Sequence, residues 1–173
     1  MLKGGRCFLF IIPNKWSTHV LPQCVILLQG IVASLKELRA DYNRLIAVET
    51  IEMLEVLSMR YNNIKQLPTT MTSLTNLKEL DANFNELEYL RQSLCFATTH
   101  VKMNIGNNFA DLRSLPRSIG NLEMLEELNI SNNQIWVLPD SFRMLTRLQV
   151  LRMEENPLEV PPRSGSLLHA PCL

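Results

Sequence analysis

One string recurs along this chain and limits what the chain can fold into. Leu54-Glu-Val-Leu57-Ser-Met59-Arg-Tyr-Asn62-Asn-Ile64 has the form LxxLxLxxNxL. The form returns from Leu77 (Leu80, Ala82, Asn85, Leu87), from Leu125 (Leu128, Ile130, Asn133, Ile135) and from Leu148 (Leu151, Met153, Asn156, Leu158). Looser copies start at Leu35 (Leu38, Ala40, Asn43, Leu45) and at His100 (Met103, Ile105, Asn108). The starts are 19, 23, 23, 25 and 23 residues apart. A near-constant period of this length marks a solenoid, because one unit cannot bury its apolar face and a stack of units can.

Each recurring residue type has a physical reason. LxLxx reads as a short strand whose leucines point to one side, since side chains alternate along a strand. Copies stacked about 4.8 Å apart then form a parallel sheet. The asparagines 43, 62, 85, 108, 133 and 156 fall where the chain turns inward, and a buried amide there can bond backbone groups that the turn leaves unpaired. Between copies runs LPxx(I/M/F)xxL: Leu67-Pro68 with Met71 and Leu74, Leu115-Pro116 with Ile119 and Leu122, Leu138-Pro139 with Phe142 and Leu145. Proline fixes φ and removes a donor where the chain leaves the sheet. The expected fold is therefore an α/β-type repeat solenoid, a horseshoe with a parallel concave sheet and irregular or short helical convex arms.

Departures from the period give the expected boundaries. Residues 35–162 form a repeat domain of about six units. Leu21-Pro22, Val25 and Leu28 match the return arm, so residues 21–34 read as a degenerate half-repeat cap. Residues 1–20 show no repeat and are expected to be irregular, as is the tail 163–173, which is too short and broken for a stable helix. The first interval is short and lacks a Leu-Pro pair. The fourth unit has His100 in place of a core leucine, where a partly exposed or hydrogen-bonded histidine is expected, and carries two extra residues near Leu112.

Composition removes several function classes. The chain has 17 Lys plus Arg and 17 Asp plus Glu, so it lacks the basic excess of a nucleic-acid binder and any general attraction to anionic membranes. Cys7, Cys24, Cys95 and Cys172 make no CxxC motif and read as reduced thiols of a cytoplasmic protein. The run Cys7 to Ile12 is shorter than the roughly 7–15 apolar residues of a secretory leader. Val25 to Leu35 is interrupted by Gln29, Gly30 and Ser34 and falls short of the about 20 residues that span a bilayer. No nucleophile elbow, zinc-hydrolase helix or phosphate loop occurs, and His19, His100 and His169 are far apart. No catalytic, metal or cofactor site is expected.

A solenoid of this kind binds through its concave surface. Register places Arg39, Asp41, Tyr42, Ser58, Arg60, Tyr61, Asp81, Asn83, Phe84, Asn104, Gly106, Asn129, Ser131 and Arg152 there. Tyr42, Tyr61 and Phe84 share one position in three consecutive units and should form an aromatic stripe. Aromatic residues beside arginine are frequent binding hot spots; rings that merely pack on their neighbours are the competing account. Arg39, Tyr42, Arg60, Tyr61, Asp81, Phe84, Asn104, Asn129 and Arg152 are the candidate partner-binding residues. Trp136 stands where other units carry Lys65, Glu88 and Glu159, so it is expected to be exposed and is a candidate anchor.

The strings LRADYNRL (Leu38–Leu45), LEVLSMRYNNIKQLP (Leu54–Pro68), LKELDANFNEL (Leu77–Leu87) and IGNLEMLEELNISNNQI (Ile119–Ile135) resemble the Ras-group leucine-rich-repeat proteins, the plant intracellular members in particular. The resemblance covers about residues 35–162. It implies a cytoplasmic, non-catalytic scaffold or adaptor in signal transduction, with a small Ras-like GTPase or its regulators as a candidate partner. Two further readings stay open on the residues: a shortened product without independent function, and an extracellular receptor-type repeat domain.

Overall fold

A computed structural model of the chain describes residues 11–12, 15–17, 35–42, 53–67, 71, 73–96, 98–108 and 112–159. Six short parallel strands carry the repeat: β3 (Glu37–Arg39), β4 (Val56–Ser58), β5 (Glu79–Asp81), β6 (Lys102–Asn104), β7 (Glu127–Asn129) and β8 (Val150–Arg152). Each pairs with the next in unshifted register, so Leu38, Leu57, Leu80, Met103, Leu128 and Leu151 form one row. The strands lie side by side in chain order, an open horseshoe.

Two more strands precede these. β1 (Ile11–Ile12) pairs antiparallel with β2 (Lys15–Ser17), and β2 pairs parallel with β3, Trp16 opposite Leu38. Residues 1–20 were expected to be irregular, so this is a correction. The leucine pattern could not reveal β2, because Trp16 takes the register position that a leucine or methionine holds in every later strand. The half-repeat cap expected at 21–34, the tail 163–173 and Asn43 lie outside the described residues.

The core follows from strand alternation. The middle residue of each of β3 to β7 is at most 2% exposed, and so is the apolar residue two positions on: Ala40, Met59, Ala82, Ile105 and Ile130. Burying a leucine side chain contributes about 1.5–3 kcal/mol, and stacking repeats that gain in each coil. The return arms complete the core with Met71, Leu74, Ile119, Leu122, Phe142 and Leu145. Pro116 and Pro139 hold φ of −65° and −67° immediately before the 3-10 turns Arg117–Asn121 and Asp140–Met144, and a third such turn covers Gln92–Phe96. The arms are tied together by side chains: the Ser118 hydroxyl donates to the Gln92 carbonyl at 3.0 Å, and that of Ser141 to the Arg117 carbonyl. Gly120 is required here, since a Cβ would meet the Ser141 carbonyl oxygen at 2.4 Å.

The asparagine ladder joins coil to coil. Asn85 Nδ2 donates to the carbonyls of Ala82 and Asn83 in its own coil and of Met59 in the coil before, while its Oδ1 accepts the Ile64 N–H. Asn133 repeats the pattern with Ile130, Ser131 and Ile105, and Asn156 with Met153, Glu154 and Ile130. Asn62 and Asn108 bond the same kinds of carbonyl. The extra residues of the fourth unit are absorbed just after this ladder. Asn133 Oδ1 accepts from Asn108 N, two residues earlier than the pattern requires, and Leu112 then takes the buried place that Ile64 and Leu87 hold in earlier coils. His100 is fully buried at its leucine site, so a partly exposed histidine is ruled out there.

Candidate protein-docking face

The residues flanking each buried strand centre form the concave floor. One row is Glu37, Val56, Glu79, Lys102, Glu127 and Val150; the other is Arg39, Ser58, Asp81, Asn104, Asn129 and Arg152. A shallow cavity of about 240 Å³ lies over them, lined by both rows. Ion pairs cross the floor. Lys102 meets Glu127 at 2.8 Å, and Arg39 meets Glu37 at 2.6 Å, a hydrogen bond that raises the arginine pKa above its ordinary value.

The next row along the chain is less accessible than register alone suggested. Asp41, Ser131 and Asn83 are 3%, 4% and 9% exposed, and Gly106 is buried as well; Ser58, on the floor itself, is 6% exposed. Asp41, Ser58 and Ser131 are occupied by internal hydrogen bonds, whereas the buried Asn83 Oδ1 has no hydrogen-bond partner. Asp41 Oδ1 accepts the Ser58 hydroxyl at 2.6 Å and the Arg60 N–H at 2.9 Å. The Arg60 guanidinium lies between two carboxylates, with Nε 3.5 Å from Asp41 and 3.8 Å from Asp81, distances of ion pairing rather than of good hydrogen bonds. Burial pushes the Asp81 carboxyl above its ordinary pKa, against the Asn83 N–H and Arg60, which pull it down.

Asp81, Asn104 and Asn129 play one shared role that was not read from the sequence. Each side-chain oxygen accepts the N–H two residues on, from Asn83, Gly106 and Ser131 at 3.2, 3.3 and 2.9 Å. This is the Asx turn that Asp and Asn favour at strand ends. Their recurrence at one repeat position was the available signal. Gly106 makes room for the third of them, because a Cβ would lie 2.9 Å from Asn129 Oδ1.

The aromatic residues border this floor. Tyr42 and Tyr61 stack with centroids 4.4 Å apart and planes 5° from parallel; Tyr61 and Phe84 stack at 4.4 Å and 6°. Tyr42 is 57% and Tyr61 39% exposed, so the rings pack on one another and still meet solvent. All three residues have left-handed backbones, φ 53° to 58°. Asn107, Asn132 and Glu155 hold the same conformation in the later coils. Bulky side chains rarely adopt it, at a cost of roughly 1–2 kcal/mol each.

Arg152 is exposed at the last strand, and the ladder residues sit beneath the turn rather than on the floor. Trp136 lies away from the concave side, 47% exposed next to exposed Val137, its backbone bonded to the Arg113 carbonyl at 3.4 Å. Cys95 is a buried free thiol. Among the described residues no His, Cys, Asp and Glu gather to hold a metal ion, and no helix is long and apolar enough to cross a membrane.

The family model for the leucine-rich repeat matches residues 124–145. Over 71 residues the chain is 65% identical to plant intracellular Ras-group-related LRR protein 4 of rice (Oryza sativa), covering 41% of the chain and 12% of that protein. Over 63 residues it is 70% identical to the Arabidopsis thaliana protein of the same name, covering 36% of the chain and 12% of the relative. The chain thus spans about an eighth of these plant relatives' length. Among solved structures, a leucine-rich-repeat protein of Leptospira interrogans superposes with a TM-score of 0.70 at 28% identity, covering 75% of this chain and 34% of the other. The plant relatives are named as intracellular.

Proposed function

We propose, for a chain that belongs to the leucine-rich-repeat proteins of the plant intracellular Ras-group-related kind, that it is a non-catalytic cytoplasmic scaffold in signal transduction, gripping a partner protein on its concave face. One observation carries the proposal. Three aromatic residues occupy consecutive left-handed positions that asparagine fills in the next two coils. Two ring stacks return about 1–3 kcal/mol, whereas three bulky left-handed residues cost about 3–6 kcal/mol. The area that the rings bury on one another adds to that return; the apolar faces that Tyr42 and Tyr61 still leave exposed beside the floor are what a partner would cover. Tyr42, Tyr61 and Phe84 supply the apolar anchor. Arg39, Arg60, Asp81, Asn104, Asn129 and Arg152 supply the polar contacts that fix orientation, and Trp136 marks a second contact outside the floor.

The relatives' Ras-group name supports a small Ras-like GTPase or one of its regulators as the partner class. The test is retention from plant cytosol, with GDP or a non-hydrolysable GTP analogue added, on the chain and on a Tyr61→Ala, Asn129→Ala variant of equal circular dichroism. The proposal expects a retained protein that the variant loses, and retention that depends on the nucleotide. Equal retention by both baits would remove the concave face as the site. Retention indifferent to nucleotide would remove the GTPase.

A further inference from the structure

β5 carries the middle of the concave floor. Glu79 and Asp81 flank its buried Leu80 on one face and stand about 7 Å apart. Their neighbours in register are Val56 and Ser58 on β4, and Lys102 and Asn104 on β6. Lys102 is already committed to Glu127 at 2.8 Å, and Arg39 to Glu37 at 2.6 Å. Arg60 is divided between Asp41 at 3.5 Å and Asp81 at 3.8 Å. Glu79 has no ion-pair partner among the described residues. The concave side from β3 to β7 thus sets five carboxylates (Glu37, Asp41, Glu79, Asp81, Glu127) against three cations (Arg39, Arg60, Lys102), an excess of two negative charges.

A second observation lies beside the first. Two residues beyond Asp81, the Asn83 side chain is nine-tenths buried, and its Oδ1 has no hydrogen-bond partner. The Asn83 N–H donates to Asp81 Oδ1 at 3.2 Å, which fixes the residue next to that carboxylate. A buried acceptor left without a donor is costly. Arg60 does not fill these places: its Nε lies 3.8 Å from Asp81 and itself makes no hydrogen bond. Glu79, Asp81 and Asn83 therefore follow one another at alternate positions as acceptors short of a donor.

We propose that β5 receives an extended segment of the partner protein with basic residues at alternate positions, one cation over Glu79 and the next over Asp81 and Asn83. This rests on the concave-face reading and gives that face its charge preference. Alternate residues of an extended chain repeat at about 7 Å, the spacing of the two carboxylates. A guanidinium carries its donors in a planar fork, so one group serves Asp81 and the Asn83 oxygen together. Two such cations match the excess of two carboxylates. The stacked rings of Tyr61 and Phe84 border the same end of β5 and give the apolar stem of the second side chain a surface to lie on.

Fluorescence anisotropy on the full chain tests this, with fluorescein-labelled Gly-Leu-Arg-Leu-Arg-amide as the probe. The control peptide carries citrulline for each arginine, which keeps the shape and removes the charge. Saturable binding of the arginine peptide is expected, with the citrulline peptide about tenfold weaker or more. Asp81→Asn keeps an acceptor for the Asn83 N–H and should weaken binding about tenfold; Glu79→Gln should weaken it about fivefold. Glu123→Gln, at an exposed carboxylate outside the floor, should leave it unchanged. Circular dichroism must match in all four proteins. An arginine peptide that does not bind, or that binds no better than its citrulline twin, overturns the proposal. So does a loss from Glu123→Gln equal to that from Glu79→Gln, the mark of unspecific attraction. If a protein retained from cytosol is lost by the Tyr61→Ala, Asn129→Ala bait and kept by Glu79→Gln and Asp81→Asn baits, the basic segment falls and the concave face stands. Equal retention by all of these baits removes the concave face, and the basic segment with it.

Discussion

The coils begun at Leu35, Leu54 and Leu77 and those begun at His100, Leu125 and Leu148 share one backbone and carry different surfaces. In both halves the strand centre is inward, the floor residues flank it, and the next turn passes through a left-handed residue before the ladder asparagine. In the first half that residue is Tyr42, Tyr61 or Phe84; in the second it is Asn107, Asn132 or Glu155. The Asx-turn position likewise changes from Asp81 to Asn104 and Asn129. The backbone is therefore set by what the halves have in common, the apolar rows and the ladder. The residues in which they differ are free to serve recognition.

That division makes a strong demand on the ladder. Asn85→Ala and Asn133→Ala each remove a buried amide that serves three carbonyls and one N–H. Each should lose about 3 kcal/mol or more, because several backbone groups are left dry and unpaired. Urea unfolding would measure both. Losses within about 0.5 kcal/mol of each other, near the usual limit of additivity between sites, fit a shared backbone. A much larger loss in one half would mean that the halves differ below the surface as well.

Exchanging the left-handed residues sharpens the comparison at lower energy. Asn132→Tyr introduces a bulky left-handed residue with no ring on either side, and should destabilise by about 1–2 kcal/mol. Tyr61→Asn removes both ring stacks but relieves backbone strain, so its loss should stay near about 1 kcal/mol or below. Binding should respond the other way round, with Tyr61→Asn the damaging change. If Asn132→Tyr is neutral, the left-handed position carries no penalty for aromatics in this fold, and the halves differ in surface chemistry alone.

Much of this was legible in the sequence because leucine and asparagine repeat wherever burial or an orphaned backbone group forces them. The row from Leu38 to Leu151 and the ladder positions could be counted. The aromatic row was visible too, but not its left-handed backbone, since Tyr and Phe are poor signals for positive φ while Asn107 and Asn132 are good ones. The inward loss of Asp41, Asn83 and Ser131 was hidden for another reason. Strand alternation puts them outward, yet the Ser58 hydroxyl bonds Asp41, the Ser131 hydroxyl bonds Asn129, and the Asx turn holds the backbone of Asn83. β2 stayed hidden because pairing with β3 needs backbone groups, not a leucine, and Trp16 interrupts the leucine row.

The smallest effects separate the halves by their dependence on pH, because Glu55 and Asp81, whose carboxyls depart from their ordinary values, both lie in the first half. Glu55 accepts hydrogen bonds from Lys36 at 2.8 Å and Lys78 at 2.7 Å, which hold its carboxyl at about 2 against an ordinary 4.5. Its contribution to stability is present above pH 4.5 and is lost as the pH falls toward 2. Asp81 has the opposite sign. Burial raises its folded pKa above 3.8, so the native state binds the proton more tightly than the unfolded chain does. Its contribution is present below pH 3.8 and is lost as the pH rises through the folded value. Glu55→Gln should therefore flatten the acid limb of a plot of urea midpoint against pH. Asp81→Asn, which installs the residue used by the second half and keeps an acceptor for the Asn83 N–H, should remove the decline that begins above pH 3.8 and leave the acid limb in place. An Asp81→Asn curve parallel to that of the parent above pH 3.8 would show that Arg60 already neutralises Asp81, and that the two halves are electrostatically alike.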